Sequence, residues 1–167
     1  MEGVVTKGRK LGDAAEHFSK TLLEAHGYEA TFLRNNFPTY DIEAIGSVRF
    51  LVSVKAARSR QHIRLGTRAS ASRLGADGFV FAFMPANGSS DIQFIPGGYR
   101  LLIVPGEVAK IDSIALQLSY LKERGKDPEM PYYSLMVKGY SRRDHQREVW
   151  ARWAEYEDAW YLLPPPR

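Results

Sequence analysis

The stretch that decides the fold is Val48-Arg49-Phe50-Leu51-Val52-Ser53-Val54-Lys55. It is rich in β-branched and aromatic residues and free of Gly and Pro, so it reads as a β-strand. Side chains alternate across a strand: Phe50, Val52 and Val54 share one face and must be core, while Leu51, Ser53 and Lys55 share the other. Just upstream, Tyr40 to Ile45 is a second strand-like run. Gly46-Ser47 separates the two, a hairpin signal with Gly first. Asp41 and Glu43 therefore lie on one face of a strand that neighbours Ser53 and Lys55. A strict two-residue turn pairs Asp41 with Val52, whereas a bulge or a longer loop sets it opposite Ser53.

Working outward, Leu11 to His26 reads as an amphipathic helix with Leu11, Ala15, Phe18, Leu22 and Ala25 on its apolar stripe. Glu16–Lys20 and Lys20–Glu24 make i,i+4 pairs outside that stripe, and Gly27 closes the helix. Tyr28 to Leu33 reads as a short strand, followed by a polar connector from Arg34 to Thr39. Arg68 to Leu74 is expected to be helical, and Gly78 to Met84 a buried strand. Asp91 to Pro96 and Tyr99 to Val104 read as two more strands, joined at Gly97-Gly98. Ala109 to Arg124 is expected to be a helix with Ile111, Ile114, Leu118 and Leu121 on its apolar face. A Pro- and aromatic-rich connector, Asp127 to Tyr133, leads to a final helix over Ser141 to Leu163. Ser141 would be its N-cap, and Pro164-Pro165-Pro166 its terminator. Its aromatics, Trp150, Trp153, Trp160, Tyr156 and Tyr161, are expected to pack on the body of the protein. The expected organisation is one α/β domain over residues 1–125, with residues 126–167 forming a connector and a C-terminal aromatic-rich helix packed on it.

The 167 residues are 44% apolar and 25% charged, ordinary values for a globular domain. No run approaches eighteen consecutive apolar residues, so no membrane span is expected. Met1 to Lys10 lacks the apolar core of a secretory signal, and cysteine is absent, so a cytoplasmic location is the expectation. Net charge is +4. Arg49, Lys55, Arg58, Arg60, Arg64, Arg68 and Arg73 fall in a stretch with no Asp or Glu, a composition suited to a polyanion. His17, His26, His62 and His145 are too scattered for a zinc site. Gly97-Gly98 lacks the pattern of a phosphate-cradling loop.

Three segments then stand in a telling order: Gly12-Asp13-Ala14-Ala15-Glu16 on a helix, Tyr40-Asp41-Ile42-Glu43-Ala44 at a strand start, and Leu51-Val52-Ser53-Val54-Lys55-Ala56-Ala57 on the next strand. This order resembles the PD-(D/E)XK nuclease superfamily, in particular its small endonuclease and Holliday-junction-resolvase-like members. There a helix bearing Glu precedes a strand bearing Asp, and a following strand carries (Glu or Gln)-x-Lys. The likeness extends loosely through Phe79-Val80-Phe81 and Phe94-Ile95-Pro96. It implies a restriction-endonuclease-like mixed β-sheet flanked by helices.

The resemblance further implies a metal-dependent endonuclease acting on DNA, with Mg2+ or Mn2+ as cofactor. Asp41 would be the principal ligand, the carbonyl of Val54 a second, and Lys55 would orient the attacking water. Glu16 would act from the helix. The family's Glu or Gln is Ser53 here, which brings no charge and a shorter reach, and Glu43 is the candidate substitute. Arg58, Arg60, Arg64, Arg68 and Arg73 would contact DNA phosphates without reading sequence. A homodimer is the default assembly, because cutting two strands calls for two centres related by symmetry. Two rivals are an inactive DNA-binding module, in which Ser53 marks a lost metal site, and an accessory or interaction protein that uses the aromatic C-terminal helix.

Overall fold

A computed structural model describes residues 7–57, 62–129, 135–138 and 142–167. The elements run α1 (Lys7–Ala25), β1 (Glu29–Phe32), β2 (Ile42–Ile45), β3 (Arg49–Ala56), β4 (His62–Gly66), α2 (Arg68–Ala71), β5 (Gly78–Pro85), β6 (Tyr99–Pro105), α3 (Gly106–Glu123), β7 (Leu135–Lys138) and α4 (Asp144–Ala154), then a 3-10 turn over Trp160–Leu162. Five strands form one mixed sheet in the order β1-β2-β3-β5-β6. Strands β3 and β5 are parallel, and the other neighbours are antiparallel. β4 and β7 pair as a separate antiparallel ribbon.

Alternation along β3 explains the layers. Phe50, Val52 and Val54 join Phe79, Phe81, Phe83, Leu101 and Ile103 in a core beneath α1 and the C-terminal segment. Leu51 points the other way, with Val80, Ala82, Leu102 and Val104, into a second core built with α3, α4 and the β4–β7 ribbon. With both faces covered, β5 is buried at every residue, which is why Gly78 to Met84 reads as an unbroken apolar run.

α1 ends where Gly27 predicts. Gly27 takes φ 89°, the Gly27 N–H donates to the Glu24 carbonyl, and the Tyr28 N–H donates to Leu23. These are the paired bonds of a Schellman cap. The helix is rotated slightly from its expected stripe: Ala15, Ser19 and Leu23 are fully buried, whereas Ala25 is exposed.

Four expectations need correction. The β2–β3 connection holds three residues, Gly46, Ser47 and Val48, not two. Asp91 to Pro96 is not a strand. The Gln93 N–H bonds the Gly98 carbonyl and the Gly98 N–H bonds Ile95, so the segment closes on itself instead of offering a ladder edge. α3 is turned away from its expected face: Ile111 is 61% and Leu118 39% exposed, while Asp112, Ser113 and Gln117 are buried. The polar residues go inward because they have partners there. Asp112 accepts from Trp153 Nε1 and Arg152, both at 2.8 Å, and Gln117 accepts from Arg68 Nε at 2.8 Å.

The expected helix over Ser141 to Leu163 begins at Asp144 and stops at Ala154; Ser141 lies outside the described residues. The chain leaves the helix because Tyr156 to Asp158 bonds the edge of β6. The Ile103 N–H donates to Tyr156, the Asp158 N–H donates to Leu101, and Glu157 makes a β-bridge with Leu102. Trp153 is wholly buried, Trp150 packs against the same core, and Trp160 stacks on His26 with ring centroids 3.6 Å apart. The tail then folds back on the β2–β3 turn, where Pro165 accepts from the Ser47 N–H at 2.7 Å.

Candidate active site

The β2–β3 ladder sets Ile42 opposite Val52 and Glu43 opposite Leu51, the register of the longer connection, and it ends at Ile42. Asp41 lies just ahead of β2, where it replaces a ladder residue with its side chain. Its N–H donates to the Val52 carbonyl at 2.9 Å, and its Oδ2 accepts the Val54 N–H at 2.6 Å. Leu51 and Ala57 donate toward the β5 side, while Val52 and Val54 bond toward Asp41. Strand alternation therefore directs the Val54 carbonyl to the same edge as its N–H, beyond the first residue of β2.

The approach to Asp41 is held tightly. Thr39 takes φ 75°, an uncommon conformation for a β-branched residue that costs about 1–3 kcal/mol. Its Oγ1 donates to the Ser70 carbonyl at 2.8 Å, tying the segment to α2. Tyr40 is buried, and its hydroxyl accepts the Gly75 N–H at 3.0 Å. Gly78 is required against that ring: a Cβ there would stand 2.3 Å from the Tyr40 hydroxyl oxygen.

Helix α1 brings Glu16 to the same place. Burial raises the Glu16 pKa above its ordinary value, the negative charges of Asp41 and Asp13 raise it further, and Lys55 and His17 oppose the rise. Burial likewise raises Asp41, against the pull of Lys55 and the Val54 N–H. Two carboxylates from different elements thus share one field with Lys55, and each is reluctant to ionise there. They open on a pocket of about 420 Å3, lined by α1 and by the segment from Phe32 to Asp41.

Not every expected residue joins this centre. Ser53 is 1% exposed, a buried neutral side chain on β3. Glu43 forms an ion pair with Arg49, two pairs further along the ladder. Arg64 and Arg73 are exposed, whereas Arg68 is drawn inward to Gln117. Arg58 and Arg60 lie outside the described residues. Among the described residues no group of three His, Cys, Asp or Glu side chains stands close enough to hold a metal ion. The pocket also gathers Asp13, His17, Asn35 and Phe37, none of which was expected in the site. Only Asp13 had a visible signal, one turn before Glu16 on the same helix.

No protein-family model matches the sequence, and no curated protein matches it. Solved structures do. The fold is similar to that of the bacterial homing endonuclease I-Ssp6803I, with TM-score 0.53 at 14% identity, over 94% of this chain and 93% of that one. A looser likeness, TM-score 0.41 at 16% identity, is to Hjc, a Holliday junction resolvase from the archaeal hyperthermophile Archaeoglobus fulgidus, over 58% of this chain and 74% of that one. The mixed five-stranded sheet between helical layers and its match along nearly the whole chain thus give this protein the restriction-endonuclease-like fold.

Proposed function

We infer that this chain is a divalent-metal-dependent nuclease that hydrolyses DNA phosphodiester bonds at Asp41. The observation that carries the reading is that Glu16 and Asp41, from a helix and a strand start, line one pocket, with the charge of Lys55 on the next strand acting on both. The donors suit a hard cation. Magnesium is commonly held by one or two carboxylates plus the substrate's own phosphate, so a third protein carboxylate is not required. Asp41 and the Val54 carbonyl would hold it, and when bound it would supply charge neutralisation and acidify water.

The chain's own residues do the rest. Asp41 is fixed by the Val54 N–H, so its free oxygen keeps one direction. Lys55 brings the positive charge that opposes the rise of both carboxylates, and it would stabilise charge developing on the phosphate. Glu16 would accept a proton at its carboxylate, a role suited to an acid with a raised pKa. Glu43 would stay with Arg49 and outside the chemistry. Arg64 and Arg73, with Arg58 and Arg60, would contact the DNA backbone.

Buried Ser53 favours a second reading, an inactive DNA-binding module, because it leaves Asp41 without an acidic neighbour on β3. Incubating supercoiled plasmid with magnesium or manganese separates the two. Nicking by the wild type that disappears in Asp41→Asn and Lys55→Ala supports the nuclease. Retarded but intact plasmid under every metal supports the module.

A further inference from the structure

We propose that the pocket beside Asp41 receives a single unpaired DNA base, so that the preferred substrate is DNA with an unstacked nucleotide and not a fully paired duplex. This rests on the nuclease reading and narrows it. The chain has eight phenylalanines, and six of them are buried or half-buried. The two exposed ones, Phe32 at 37% and Phe37 at 41%, both line this pocket. An exposed aromatic face stacks with any base, which gives affinity without sequence preference.

The walls also exclude the alternative occupant. Asp13, Glu16 and Asp41 line the pocket, so a phosphodiester anion pushed inside without a metal ion would meet three acidic side chains. A neutral base meets no such repulsion. Asn35 provides an amide that can both donate to and accept from a base edge, and exposed Arg34 provides the charge for the attached phosphate. The space of about 420 Å3 falls in the range of small-molecule sites and is generous for a cation alone. A base seated there brings its own backbone phosphate beside Asp41, which would couple recognition of the distortion to cleavage.

The test is equilibrium binding by fluorescence anisotropy in EDTA, with two labelled duplexes that differ only by one unpaired nucleotide. The wild type should bind the bulged duplex about tenfold more tightly, the scale of one base–aromatic stack. Phe37→Ala should lose that preference while its affinity for the paired duplex stays the same; Phe37 is exposed, so the fold tolerates the change. Phe37→Tyr should keep it. Equal wild-type affinity for both duplexes, or a preference that survives in Phe37→Ala, overturns the proposal. Plasmid nicking is scored in parallel. Asp41-dependent nicking without the binding preference defeats the base pocket alone, and the preference without nicking defeats the nuclease reading alone.

Discussion

Replacing Ser53 by aspartate probes the centre more sharply than removing a residue from it. Ser53 is buried on β3 between Val52, whose carbonyl accepts the Asp41 N–H, and Val54, whose N–H donates to Asp41 Oδ2. Side chains of opposite or diagonal residues on adjacent antiparallel strands have Cβ atoms about 5 to 7 Å apart. Two carboxylates at that separation, with an effective dielectric constant of about 20, repel by about 3 kcal/mol. Desolvating the new charge adds a penalty of several kcal/mol. In EDTA, urea unfolding should therefore show Ser53→Asp less stable than wild type by at least about 3 kcal/mol. A double-mutant cycle with Asp41→Asn isolates the repulsion, since the neutral amide keeps the shape and the Val54 hydrogen bond but loses the charge. Magnesium at millimolar concentration should restore much of the loss, because it binds the folded pair and not the unfolded chain. A coupling energy near zero would refute the placement of residue 53 beside Asp41. A full coupling energy with no recovery in magnesium would refute the metal centre.

Other perturbations test separate parts of the structure. Asp41→Asn should stabilise the protein at pH 7. The folded pKa of Asp41 is raised, so the wild type loses stability as pH rises from about 3.8 through the folded value, and the advantage of Asn should vanish in acid urea titrations. Gly78→Ala should cost about 1–3 kcal/mol and lower nicking, because its methyl group displaces the Tyr40 ring next to Asp41; an unchanged melting curve would contradict the packing. Trp153→Phe should cost about 2–3 kcal/mol by leaving Asp112 without its buried donor, measured by denaturant unfolding, and a neutral effect would refute that bond. Glu43→Ala should leave any nicking intact, since Glu43 is engaged by Arg49.

Local chemistry made much of this fold legible. The alternation of Phe50, Val52 and Val54, the cap at Gly27 and the apolar run after Gly78 each follow from neighbours in sequence. What could not be read depends on partners far along the chain. α3 turns Asp112 and Gln117 inward because their partners Arg152, Trp153 and Arg68 stand 40 to 49 positions away in sequence. The C-terminal helix stops at Ala154 because β6 offers a free edge to Tyr156 and Glu157, and β7 is a strand only because β4 pairs with it. At the site, Asp41, Lys55 and Glu16 could be named from their order. The ion pair that occupies Glu43, the inward turn of Arg68 and the exposed rings at the pocket required the assembled chain.

The most direct test of the Asp41 centre is a manganese titration followed by electron paramagnetic resonance, in the presence of a short duplex. Wild type should bind one ion per chain, and binding should fall by at least tenfold in Asp41→Asn and by less in Glu16→Gln. Equal manganese binding by wild type and Asp41→Asn would contradict a metal centre at Asp41.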